Sequence, residues 1–65
     1  MLIDYVIELL KDGKWHYVRT VARRLDQPES KVKEIVDFCA EFSIVDLDRT
    51  GNRIKISEAF ERLLL

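Results

Sequence analysis

Apolar side chains dominate the start of the chain. Leu2, Ile3, Tyr5, Val6, Ile7, Leu9 and Leu10 are interrupted only by Asp4 and Glu8, and Lys11 follows them. The three charged residues fall at helical spacing, which predicts an α-helix over 2–11. Asp12-Gly13 closes it, with Gly13 suited to the left-handed capping position. The apolar arc is wider than one-sided packing requires. Ile3, Val6, Ile7 and Leu10 are expected on the core, and Leu2, Tyr5 and Leu9 on the other side.

Lys14 to Tyr17 reads as a short, aromatic, extended stub. Val18, Val21, Ala22 and Leu25 then recur at i, i+3, i+4 and i+7, with Arg19, Thr20, Arg23 and Arg24 between them. That is a second, short amphipathic helix. Asp26 tolerates the left-handed conformation that ends it. Pro28 and Glu29 suit a new helix N-terminus. In this third helix Val32, Ile35, Val36, Cys39 and Phe42 are expected to face inward. Ser30, Lys33, Glu34, Asp37 and Glu41 occupy the outer face.

At Ser43 the period changes from that of a helix to that of a strand. Val45 and Leu47 alternate with Asp46 and Asp48, and Ile54 and Ile56 with Arg53 and Lys55. The turn signal Arg49-Thr50-Gly51-Asn52 lies between the two runs, so residues 44–56 read as a β-hairpin. Ser57 can cap a last helix that places Ala59, Phe60, Leu63 and Leu64 on one face. The expected fold class is α+β, mostly α, in one domain spanning 1–65. The stub near Trp15 can add a third strand. Val21, Leu25, Val32, Ile35, Val36, Cys39, Val45 and Ile54 form the expected core.

Several of these residues resemble the winged helix-turn-helix family, particularly its small archaeal type. They are Trp15, the Val21-Ala22-x-x-Leu25 helix, Gln27-Pro28-Glu29, Val32 onward, and Phe42-Ser43-Ile44-Val45 leading into the hairpin. The sequence departs from the family pattern at Gln27, often apolar, at Ser43, often glycine, and at Tyr17, usually a Ser, Thr or Asp cap. The resemblance implies that the third helix enters a DNA major groove and that the hairpin is a wing reaching the backbone or minor groove.

Charge sharpens this expectation. The chain carries 11 basic and 12 acidic residues, a net charge of −1, which counts against a dedicated nucleic-acid binder. The distribution is uneven, however. Residues 14–33 hold Lys14, Arg19, Arg23, Arg24, Lys31 and Lys33 against only Asp26 and Glu29. Residues 34–48 hold Glu34, Asp37, Glu41, Asp46 and Asp48 and no base. A DNA-binding set follows: Arg19, Arg23, Arg24, Ser30, Lys31, Lys33, Arg49, Asn52 and Arg53. The bland alternative is a solvated face with helix ion pairs from Glu29 to Lys33 and Lys33 to Asp37. Glu34, Asp37 and Glu41 repel phosphate, so the acidic third helix is equally readable as the contact for a protein partner.

Little here supports catalysis or a cofactor. The single histidine, His16, has no second ligand for a metal except Cys39, and that cysteine sits on the inward face of the third helix. Gly51 lacks the other glycines of a phosphate loop. No metal, cofactor or enzymatic activity is expected. The lone thiol, the lack of a charged-then-apolar leader and the absence of any long apolar run point to a cytoplasmic location. At 65 residues the core supplies only about 3–5 kcal/mol, so oligomerisation is a natural aid. A homodimer is expected through Leu2, Tyr5, Leu9, Leu63 and Leu65. The function expected is a dimeric DNA-binding transcriptional regulator, and the alternative is a protein-interaction module.

Overall fold

The computed structural model describes residues 2–64. The order of elements is α1 (Leu2–Leu10), β1 (His16–Tyr17), α2 (Val18–Leu25), α3 (Glu29–Glu41), β2 (Val45–Asp48), β3 (Arg53–Ile56) and α4 (Glu58–Leu64). The three strands form an antiparallel sheet with β3 between β1 and β2. The result is a small α+β domain, mostly helical, and the aromatic stub does supply the third strand.

Strand register follows from the alternation in sequence. Val45 lies opposite Ile56, Leu47 opposite Ile54, and His16 also opposite Ile54. These residues face the helices, while Asp46, Lys55, Asp48, Arg53 and Tyr17 share the outer face. The core joins that inner face to Val6 and Leu10 of α1, Val18, Val21 and Ala22 of α2, and Val32, Val36 and Cys39 of α3. Leu10 and Ile54 are its largest fully enclosed side chains. Burial raises the Cys39 thiol above its ordinary range by desolvation, so the group behaves as a small hydrophobe.

Phe42, Leu9 and Leu2 depart from their expected places. Leu25 and Ile35 pack against the core from its edge, half-buried, as expected, whereas Phe42 is exposed. From α3 only Val32, Val36 and Cys39 line up toward α2 and the sheet. Ile35 lies about 60° round from Val32, and Phe42 is displaced the same way from Cys39. Leu9, assigned to the far side of α1, packs against the core instead. Tyr5 alone of the outward α1 trio is exposed, since Leu2 is half-buried as well. Leu63 and Leu64 are exposed, and Leu65 lies outside the described residues.

The two helix ends that set the angles between α2, α3 and the hairpin share one device. Asp26 adopts φ 55°, and the amides of Asp26 and Gln27 bond the carbonyls of Arg23 and Ala22. Ser43 adopts φ 59°, and the amides of Ser43 and Ile44 bond Ala40 and Cys39. Both are left-handed closures of the kind usually made by glycine. Ser57 completes the second junction. Its hydroxyl donates to the Ser43 carbonyl at 2.6 Å and accepts from the Phe60 amide at 3.1 Å, capping α4.

The Ser43 side chain is exposed and makes no bond of its own, so a residue with a Cβ gains nothing at this left-handed position. Ser43→Gly is therefore expected to stabilise the domain by about 1 kcal/mol. Thermal unfolding followed by circular dichroism should show a midpoint raised by about 4–8 °C. A lowered midpoint would contradict this account of the junction.

Candidate nucleic-acid interface

The hairpin tip does not hang free. The Val18 amide, first in α2, donates to the Asn52 carbonyl at 3.0 Å. Tyr17, the residue before α2, contributes no side-chain cap, so this contact from the loop takes over part of that role. Asn52 can accept the geometry because it sits at φ 52°, which asparagine tolerates.

Pinning the tip in this way leaves a hollow on each side of Asn52. One, of about 410 Å³, is lined by Tyr17, Arg19, Thr20, Arg23, Gly51 and Asn52. The other, of about 190 Å³, is lined by Val18, Lys33, Val36, Asp37, Leu47, Arg49 and Asn52. Five of the nine residues assigned to DNA from sequence are thus brought together around the loop: Arg19, Arg23, Lys33, Arg49 and Asn52.

The other four are placed elsewhere. Arg19 and Arg23 are one turn apart, but Arg24 projects about 100° away from Arg23. Lys31 lies about 200° round α3 from Lys33 and points away from the hairpin. Ser30 falls on the outer face with Glu34, Asp37 and Glu41. Arg53 is engaged: its Nε and one terminal nitrogen donate to Asp48 Oδ2 at 3.1 and 2.8 Å, and its guanidinium lies 5.0 Å from the Trp15 ring centre. It anchors the hairpin rather than offering a free cation. Thr20, Tyr17 and Gly51 were not singled out, although the Arg19/Arg23 spacing already implied a shared face next to the stub.

The ion pairs differ from those expected within α3. Glu29 pairs with Arg19 at 3.6 Å and Asp37 with Arg49 at 3.5 Å, in place of the predicted partner Lys33. These pairs link α2 and the hairpin to α3. All four side chains are well exposed, so these bonds contribute little and yield to a better anion. Arg23 and Lys33 have no carboxylate partner among the described residues. The site therefore offers two free cations flanking an amide side chain, with two weakly held arginines at its margin.

Gly51 serves the loop by its lack of a side chain. A Cβ there would approach Asp48 Oδ2 to 2.7 Å and Arg53 Nε to 2.9 Å, wedging the ion pair open. The Gly51 amide also donates to Asp48 Oδ1 at 3.1 Å. Near the start of β1, His16 Nε2 bonds Asp12 at 2.8 Å, a partner that the sequence did not reveal. Among the described residues no group of three or more metal-ligating side chains occurs, and no helix is long and apolar enough to cross a membrane.

No protein-family model, curated protein or solved structure matches the chain.

The Arg53 guanidinium holds the Asp48 carboxyl below its ordinary value of 3.8, helped by the Gly51 amide. A lowered carboxyl stabilises the fold above the unfolded value and loses that contribution as pH falls through the lower folded one. Trp15 reports on this pair because Arg53 and Lys55 lie over its ring. Trp15 fluorescence is thus expected to change below about pH 4, and Asp48→Asn to remove that acid step. An identical acid titration in the variant would sink the assignment.

Proposed function

We propose that the chain is a winged helix-turn-helix domain that docks on double-stranded DNA as a homodimer, without catalysis, in a cytoplasmic regulator of transcription. The observation that carries this reading is the pair of unpartnered cations, Arg23 and Lys33, on either side of the pinned Asn52 loop. A backbone phosphate would occupy the larger hollow, with Arg19 turning from Glu29 toward it, while in the smaller hollow Arg49 stays on Asp37 and Lys33 meets the neighbouring phosphate. Backbone contacts of this type fix position and carry no sequence information. Base readout is limited to the start of α3, because Glu34, Asp37 and Glu41 present carboxylates to the groove. Binding is accordingly weak and salt-sensitive.

Glu34 and Glu41 are exposed and unpaired, which favours a second reading: α3 meets a basic protein surface. Fluorescence anisotropy with an arbitrary duplex separates the two. On the DNA reading, affinity falls with salt with a logarithmic slope of about −0.9 per phosphate contact. Arg23→Ala with Lys33→Ala should lose roughly tenfold or more, since each good contact to a charged group is worth about 1.5–3 kcal/mol at most. Arg24→Ala with Lys14→Ala, which removes the same charge away from the hollows and from α3, should change affinity much less. No anisotropy change at low salt would end the DNA reading. Equal losses in the two double variants would show that the hollows are not the seat.

A further inference from the structure

The apolar surface on α3 is the most anomalous feature outside the hairpin site. Phe38 and Phe42 are 52% and 63% exposed and stack on each other, ring centres 4.9 Å apart at 50°. Two neighbouring phenylalanines left in water cost free energy that, among the described residues, only their contact with each other offsets. Half-buried Ile35 and Lys31, a cation unpaired among the described residues, fall on the same stripe, about 140–200° round the helix from Lys33. The stripe therefore faces away from the two hollows.

We propose that this stripe binds a second copy of the chain, with the two α3 helices packed antiparallel across a two-fold axis. The inference rests on the homodimer reading above and names the surface, moving it from α1 and the chain end to α3. Charge selects the direction. A parallel pairing sets Lys31 against the partner's Lys31. An antiparallel pairing centred between Val36 and Asp37 sets Ile35 against the partner's Phe38. It also brings Lys31 over the partner's Phe42 and beside the partner's Glu41. The first contact buries apolar surface, and the second is a cation over an aromatic face next to a carboxylate. Both contacts occur twice, as an isologous interface requires.

The half-exposed phenylalanines of two protomers offer roughly 400 Å² of ring surface, well below the total of a standard interface. Flanking residues must join, and the dimer is concentration-dependent. The assembly leaves both hairpins and their hollows outward, so phosphate docking at the hollows stays open, while Lys31 and Glu41 are drawn into the seam.

Sedimentation equilibrium on the full chain tests this. The wild type is expected to move from monomer to dimer across the micromolar range. Phe38→Ser with Phe42→Ser should weaken association at least tenfold while circular dichroism shows an unchanged fold, because both rings are already exposed. Lys31→Glu should weaken it, and adding Glu41→Lys should restore it, a rescue that a merely structural role does not predict. If the wild type stays monomeric at the highest concentration, the homodimer reading and this surface both fall. If the wild type dimerises and the serine variant dimerises equally well, only this surface falls. In that case Tyr5→Ser with Leu63→Ser should dissociate the dimer instead.

Discussion

One backbone hydrogen bond, from the Val18 amide to the Asn52 carbonyl, decides where the hairpin tip lies. It carries the β1–β3 pairing, which ends with Tyr17 opposite Arg53, one step further into the loop. With it, the tip rests on the first residue of α2, which has no side-chain cap. The two hollows lie on either side of that contact, and Arg19, Arg23, Lys33 and Arg49 gather about Asn52. The rest of the hairpin is built to present Asn52 correctly: Asp48 binds both the Gly51 amide and Arg53, and Arg53 rests on Trp15.

The framework beneath it relies on turn geometry as much as on the core. A chain of this size buries a small core, made here chiefly of Val, Ile and Leu side chains around Leu10 and Ile54. Left-handed residues at Asp26 and Ser43 then aim α3 and the hairpin, each closed by a pair of backbone hydrogen bonds. Neither is glycine, so the junctions carry local strain that the surrounding contacts hold in place. Ser57 adds a buried hydroxyl that joins the end of α3 to the start of α4.

The sequence made legible whatever depends on periodicity. The switch of period at Ser43, the Asp26 closure, the Ser57 cap and the extra strand at the stub all follow from local patterns. Its errors lie at the edges of faces. Phe42 carries an apolar side chain at helical spacing, yet periodicity does not say how far round the helix the core reaches. Leu9 was misjudged for the same reason. The candidate cluster was half visible: charge density picked out the cations, but not which of them share a side. Arg24 and Lys31 count equally with Arg23 and Lys33 in a sum, and only helical phase and the pinned loop separate them. Arg53 was lost to the set because its partner, Asp48, lies across the hairpin rather than along a helix.

The same geometry reconciles a net charge of −1 with the proposed docking on DNA. Acidic residues concentrate on the outer face of α3, while unpaired basic residues flank the loop, so opposite potentials lie on adjoining surfaces. The whole account depends on the loop being held in place. Native-state amide hydrogen exchange at single-residue resolution tests that directly. The Val18 amide should exchange as slowly as the central-strand amides of β3, while the neighbouring first-turn amides of Arg19 and Thr20 exchange fast. A Val18 amide that exchanges as fast as those two would mean that the tip is not pinned, and the two hollows would not persist in solution.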